Sequence, residues 1–502
     1  MSTPSIAPAP RGIALVAFVV GAASLGAEIA AARLLAPWFG ASTIVWANTI
    51  ATVLVSLSVG YWLGGRLADR DPTMRGLCRI VLASGVLLAV VPFVANPFLR
   101  VSVDALDNVE AGAFVGSLVG VLVLLAVPVL LLGCVAPYAV RLSLTGVEDA
   151  GRVSGRLYAI STLGSLTGVF LAALLLIPVL GTRRTFLVFA VSLALVALVG
   201  LGRAAYAAAP LALAALMAIP TGTVKAGETA TVLEEAETEY QYARVERSTG
   251  GTIRLQLNEG LAVHSLRRPG TYLTGDYWDT MLVLPWATRT KAPGRVAILG
   301  NAGGTVARAL GHYFPDTVVD AVEIDGELSR LGRKWFGMTG PNLHVHTADA
   351  RPWLYGTSER YDTILVDAYR QPYIPFYLAT REFFELVADR LAPGGSVIVN
   401  VGHPEGSDKL EKVLTATMRE AFPHVARAPT EDTNTMLVGS DVEPSPSRLI
   451  LAALPPDLQD ATSEAADVLE DGLDGGEVYT DDHAPVEWLI DSSILKVAAD
   501  GG

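Results

Sequence analysis

Six stretches within the first 220 residues, 13–32, 44–63, 78–95, 113–135, 157–178 and 184–201, read as membrane spans. A hydrocarbon core needs about 20 mostly apolar residues per helix. Lipid offers no partner for a free N–H or C=O, so only helices that satisfy their own backbone, or closed barrels, can cross it. A seventh stretch, 204–220, is Ala-rich, short and interrupted by Pro210. Because several spans follow the first, it is not a cleaved signal peptide alone. The N-terminal half is therefore expected to be a multi-pass helical domain in the lipid bilayer of a plasma (inner) membrane, over residues 1–220.

Charge divides the chain at the same place. Residues 1–220 carry 13 Arg, no Lys and 8 acidic residues, whereas the remainder has a balance of −18 within a total of −13. The acidic half disfavours nucleic acid as a partner. Arg66, Arg70, Arg75 and Arg79 follow the second span, and Arg141, Arg152 and Arg156 follow the fourth; Asp104, Asp107 and Glu110 follow the third. The excess of Arg in short loops marks the cytoplasmic side, with Arg183 and Arg184 as a violation. A cytoplasmic soluble domain then requires an even number of spans. Cys78 and Cys134, the only cysteines, lie in apolar stretches and suggest neither a disulfide framework nor a metal site. Glu28 and Arg33, in or at the end of the first span, read either as a pair at the helix end or as part of a ligand path.

After Pro220 the composition changes. Residues 221–230 read as a linker, and 231–264 alternate as a small antiparallel β unit that turns at Gly250-Gly251, giving a second region over 221–265. Over 266–502, strands are expected at 296–300, 318–324, 343–347, 363–367 and 397–401, with helices near 304–313, 326–336, 380–391 and 407–421. Strands alternating with helices predict a doubly wound α/β domain, with ligands at the carboxyl ends of the strands. Pro393-Gly394-Gly395 is expected to break the chain before the fifth strand.

Four motifs fall at those ends. Val296-Ala-Ile-Leu-Gly-Asn-Ala-Gly-Gly-Thr305 runs a strand into a turn whose glycines, Gly300, Gly303 and Gly304, allow close backbone approach to a ligand. In Val322-Glu-Ile-Asp325, Glu323 lies 20 positions after Gly303, a spacing suited to accepting from ribose hydroxyls. Asp325 reads at least equally well as a helix N-cap. Asp349, followed by Ala350, could accept from an adenine amino group or cap the next turn. Asp367 ends the fourth strand, where a carboxylate could take a proton from an attacking amine.

The ordered series resembles the polyamine aminopropyltransferases, the spermidine synthase family, over residues 235–440. Gly60–Arg70 and Tyr479-Thr-Asp-Asp-His-Ala-Pro-Val-Glu487 resemble membrane-fused members. The resemblance implies a class I methyltransferase-like, Rossmann-like fold. It implies that Gln241 contacts the aminopropyl donor, that Tyr277 is the tyrosine of a Tyr-(His/Gln)-Glu motif, that Glu323 binds ribose and Asp349 adenine, and that Asp367 is the base. The sequence departs from the family at Gly303, in place of Asp, and at Trp278 and Asp279. Arg370 and Gln371 stand where the gate loop has its second Asp, and Glu431 replaces a frequent Tyr.

The activity that the resemblance implies is aminopropyl transfer from decarboxylated S-adenosylmethionine to a polyamine or related amine, releasing methylthioadenosine. No cofactor is expected to be tightly bound, and a homodimer is implied. The departures keep open a methyltransferase using S-adenosylmethionine itself, or a non-catalytic membrane sensor or transporter.

Overall fold

A computed structural model describes residues 12–40, 42–106, 112–202, 204–220, 224–225, 230–260, 262–369 and 373–490. Asp107, Glu110, Arg370, Gln371 and most of the linker lie outside them. The chain divides into two compact units, Met1–Lys225 with Glu237–Tyr242, and Ala226–Ala236 with Ala243–Gly502.

In the first unit six described helices are long and apolar enough to cross a membrane: Ile13–Phe39, Thr43–Arg70, Met74–Val103, Phe114–Ser143, Val147–Leu180 and Thr182–Leu201. The first stops at Gly40, whose φ of 76° ends helical geometry. The second starts where the Ser42 hydroxyl accepts from Val45 N at 3.3 Å. Large aliphatic side chains such as Leu54, Val55, Leu163 and Leu174 point outward, which suits contact with lipid rather than water. Inside, glycines set the packing. A methyl on Gly164 or Gly168 of the fifth span would collide with the Phe18 or Ala22 carbonyl of the first. Gly60 and Gly64 of the second span approach the Leu130 and Cys134 carbonyls of the fourth in the same way. This is the small-residue packing that lets helices associate where no hydrophobic drive separates them from lipid. The seventh stretch forms only the short apolar helix Ala208–Ala218.

The second unit contains two sheets. Strands β1 (Thr231–Glu237), β2 (Tyr242–Arg247), β3 (Ile253–Leu257) and β4 (Val263–Arg267) lie side by side in sequence order. Gly251, at φ 82°, turns β2 into β3 as expected. The larger sheet comprises β5 (Arg295–Leu299), β6 (Val318–Glu323), β7 (Leu343–Thr347), β8 (Tyr361–Val366), β9 (Leu391–Gly402), β10 (His424–Glu431), β11 (Asn434–Ser440) and β12 (Glu470–Asp471). Their order is β12-β10-β11-β9-β8-β5-β6-β7. Strands β5 to β9 pair in parallel, and β5 and β8 are almost wholly buried, as strands covered on both faces must be.

The break expected at Pro393-Gly394-Gly395 is instead a register shift inside β9. Tyr361 pairs with Leu391, and Thr363 with Ser396, so the extra residues bulge without ending the strand. The antiparallel edge of β10 to β12 was not anticipated: Pro429 and the charges of β10 disguise a strand that sits near the rim. The helices Thr305–Tyr313, Gly326–Leu331, Arg381–Arg390 and Lys409–Arg419 fall where periodicity placed them. The second of these predicted stretches, 326–336, ends in a π turn at Gly332–Phe336.

Candidate active site

The carboxyl ends of β5, β8 and β9 open onto a cavity of about 550 Å³. Its floor begins at the glycine turn after β5. Gly300 takes φ 89°, and a side chain there would run into the Asp367 carbonyl and Ala368. That close approach seats the turn against the end of β8. Gly303 N donates to Ser265 Oγ at 2.8 Å, and a Cβ on Gly303 would sit 2.9 Å from that oxygen. Glycine at the position where the family has Asp thus accompanies a serine that fills the space. Gly304, at φ 85°, packs against Met338 before the helix Thr305–Tyr313 begins.

Asp367 lies just past β8. Its Oδ1 accepts from Asn400 Nδ2 at 2.8 Å and its Oδ2 from the Tyr277 hydroxyl at 3.1 Å. Burial raises the Asp367 carboxyl above its ordinary range, opposed by hydrogen bonds from Asn400, Tyr277 and the Trp278 indole. Burial and the neighbouring Asp367 push the Tyr277 hydroxyl well up, so the tyrosine stays a proton donor. Asn400 is oriented in turn by Asn434, whose Nδ2 donates to Asn400 Oδ1 at 2.9 Å. Tyr369 donates to the Asn400 carbonyl at 2.9 Å.

Three carboxyls line the cavity, Asp276, Asp367 and Glu431, and no Lys or Arg does among the described residues. Glu431 Oε1 accepts from Tyr277 N at 2.8 Å. Burial raises both the Asp276 and Glu431 carboxyls, and the charge of Asp276 adds to the rise at Glu431. A lining that concentrates carboxyls and, among the described residues, holds no Lys or Arg favours a cationic guest. Asp276, Asn400, Tyr369 and Ile490 were not singled out by sequence reading. Only their positions, just before Tyr277 and at the ends of β8, β9 and the chain's last described segment, could have marked them.

The other expected residues do not line this cavity; they brace its turns or lie elsewhere. Glu323, at the end of β6 and 6% exposed, braces the glycine turn: Oε2 accepts from Ala302 N at 2.7 Å and Oε1 from Asp325 N at 2.9 Å. Burial pushes its carboxyl up to about 7, against the pull of these N–H groups. Asp325 is an N-cap, accepting from Glu327 N at 3.0 Å. Asp349 caps the helix Ala350–Gly356 through Arg351 N and also accepts from the Tyr377 hydroxyl at 2.9 Å. It lines a separate hollow with Arg351 and Tyr377, while Ala350 is buried at the start of its helix. Gln241 N donates to Thr238 Oγ1 at 3.0 Å, within the Glu237–Tyr242 segment that groups with the helical unit. Asp279 does not line the cavity; it accepts from Thr274 N and Gly275 N, at 2.9 and 2.6 Å, fixing the turn before Tyr277.

The C-terminal motif is anchored beside that separate hollow, through Arg351. Asp481 takes both guanidinium nitrogens of Arg351 at 2.7 Å and the Thr380 hydroxyl at 2.8 Å. A bidentate pair of this kind fixes orientation as well as contact.

A family profile for the spermine/spermidine synthase domain matches residues 277–436. A probable polyamine aminopropyl transferase of Bifidobacterium longum is 35% identical over 189 residues, covering 38% of this chain and 42% of that protein. The chain thus spans about two-fifths of that relative's length. A polyamine aminopropyltransferase of Mycobacterium tuberculosis is 27% identical over 440 residues, covering 77% of this chain and 81% of the relative, so the likeness reaches into the helical half. Among solved structures, a probable spermidine synthase from Corynebacterium glutamicum aligns at 22% identity with a TM-score of 0.37, over 50% of this chain and 98% of that one. Residues 277–436, which hold Tyr277, Glu323, Asp367 and Glu431, thus resemble a spermine/spermidine synthase domain.

Proposed function

We propose that this chain is an aminopropyltransferase, moving the aminopropyl group of decarboxylated S-adenosylmethionine onto a polyamine or related amine. The observation that carries the reading is Asp367, oriented by Tyr277 and Asn400 and facing a cavity lined by carboxyls. An acceptor amine arrives as an ammonium and has no lone pair to attack with. Asp367, made more basic by burial, accepts one of its protons. The freed nitrogen lone pair then forms a bond to the methylene carbon beside the donor's sulfonium. The carbon–sulfur bond breaks, its electron pair passes to sulfur, and neutral methylthioadenosine leaves. The sulfonium is a good leaving group already, so positioning and proton removal are what the protein must supply.

In this reading the second and third cavity carboxyls, Asp276 and Glu431, hold the acceptor's remaining ammonium charge. They take over from the second Asp of the gate loop, whose place Arg370 and Gln371 occupy in the sequence. Glu323 would take ribose hydroxyls and Asp349 the adenine amino group; each keeps lone pairs beyond those its backbone partners use. Six spans with Arg-rich loops on the inner side would leave this domain in the cytoplasm, and a homodimer fits the family. Purified protein, decarboxylated S-adenosylmethionine and a panel of diamines and polyamines should yield methylthioadenosine in a mass-spectrometric assay. Absence of product from every amine, with the donor still bound, would overturn the proposal.

A further inference from the structure

The two glycine-packed pairs in the helical unit, first with fifth span and second with fourth, leave a gap between them. It is a cavity of about 180 Å³. A single water needs only about 10–15 Å³ on a comparable measure, so the space suits an organic guest. Its polar lining is hydroxyl: Ser24, Tyr61, Tyr158, Ser161 and Ser165. The rest is aliphatic or backbone, and no charged side chain is among the lining residues.

Ser24 distinguishes this space from a packing defect. It is 7% exposed, and its buried Oγ has no hydrogen-bond partner. Serines and threonines inside helices normally return their hydroxyl to the carbonyl four residues earlier. Thr49, Ser58, Ser102, Thr167, Thr185 and Ser192 of this unit all do so, at 2.8 or 2.9 Å. Ser24 does not. Thr52 and Ser143 share the lack of a partner but do not line this cavity. A buried hydroxyl without a partner is costly, a cost that a bound hydrogen-bonding group would relieve. One turn further along the same helix face stands Glu28, half-buried and without an ion-pair partner among the described residues. Carboxylates within a span generally mark a ligand or ion path.

We propose that this cavity binds a small aliphatic amine, its hydrocarbon body among the aliphatic side chains and its nitrogen donating to Ser24 Oγ on the side of Glu28. Such a site belongs to the first unit alone and stands or falls independently of the transferase chemistry.

The test is photolabelling of the full chain in lipid nanodiscs with a short alkyl diazirine bearing a primary amine. The same diazirine ending in a methyl group serves as control, with labelled residues mapped by mass spectrometry. The amine probe should concentrate on residues 17–25, 132–140 and 157–165. Ser24→Ala, which removes the hydroxyl without adding volume, should cut that labelling about fivefold, the worth of one hydrogen bond of about 1 kcal/mol. Ala139→Leu, which fills the space, should abolish it, and Asp367→Asn should leave it unchanged. Labelling spread over outward residues such as Leu54 and Leu163 and indifferent to Ser24→Ala and Ala139→Leu would overturn the site. Equal focused labelling by the methyl probe would overturn its preference for amines and leave an acyl-chain pocket.

Discussion

The Tyr277 hydroxyl donates to Asp367 Oδ2 across 3.1 Å, on the carboxylate oxygen that the Asn400 amide leaves free. Each oxygen of the carboxylate therefore has its own orienting donor. A base held in this way should suffer in turnover more than in binding when it is neutralised. Asp367→Asn is expected to lower kcat by roughly 10²–10⁴-fold while donor binding survives. Tyr277→Phe, which leaves the base present but less constrained, should cost roughly 10- to 100-fold, the worth of a single hydrogen bond to a charged group. Rates of methylthioadenosine release and equilibrium binding of the donor, measured side by side, check both. Full turnover by Asp367→Asn would remove the residue from its role.

Acceptor selection should follow the other cavity carboxyls. Glu431→Gln and Asp276→Asn each remove a negative charge that a distant ammonium would face, while leaving Asp367 intact. The expected outcome is a KM for diamines and triamines raised by about 10-fold or more, with kcat little changed, the pattern of lost uniform binding. A monoamine, having no second charge to place, should be nearly indifferent. Michaelis parameters across a series of amines of increasing charge decide the matter.

Glu323 makes a pH-dependent prediction. Its folded-state carboxyl titrates near 7, above the ordinary value of 4.5. Between those values the folded chain holds a proton that the unfolded chain has released. Stability from this group is therefore present below about 4.5 and is lost as pH rises toward 7, by at most about 1.4 kcal/mol per pH unit. Donor binding should run the opposite way, because only the ionised carboxylate accepts from both ribose hydroxyls. Affinity should thus rise between pH 6 and 8. Glu323→Gln should flatten both profiles and weaken donor binding by about tenfold or more, the loss of charge-assisted hydrogen bonds. Denaturant melts and calorimetric titrations at several pH values would show it.

How far the sequence reveals this protein depends on whether the signal is local. Apolar length is a local property, so the six long apolar helices were legible, whereas 204–220, which the sequence left open as a seventh span, forms only a short apolar helix at Ala208–Ala218. The strand ends bearing Glu323, Asp349 and Asp367 were legible too, because a buried parallel strand announces itself by an apolar run that stops at a polar residue. What joins residues distant in the chain was not. Asn400 looks like one more polar residue ending a strand until β9 and β8 pair and bring it to Asp367. Glu431 read as the loss of a tyrosine, whereas its contact with Tyr277 N, 154 positions away, makes it a wall of the cavity. The family resemblance set Asp279 in place of the motif's Glu, and in the fold that carboxylate ties the turn before Tyr277. The β9 bulge was hidden for the converse reason: Pro-Gly-Gly is a strong local signal for a break, but pairing on both sides of it carries the strand through.

The tightest demand the site makes on the chain falls at Gly300, where two independent constraints coincide. Its φ of 89° lies in the region that favours glycine, and an added Cβ would press on the Asp367 carbonyl and Ala368 rather than on a flexible side chain. Gly300→Ala must therefore either strain the turn or push the end of β8 away. The first route costs about 1–2 kcal/mol for the backbone alone; the second moves Asp367 itself. The two leave different signatures. Pure strain would lower the Tm and leave kcat near that of the parent at low temperature. Displacement of β8 would lower kcat even where the protein is fully folded, since a shift of about 1 Å at a reacting group can cost on the order of 100-fold. Because Gly300 N and Asn301 N are both held by the Val322 carbonyl on the other side, the turn has little room to retreat. The expected result is loss of both stability and kcat, checked by thermal melts and by turnover at a temperature well below the variant's transition.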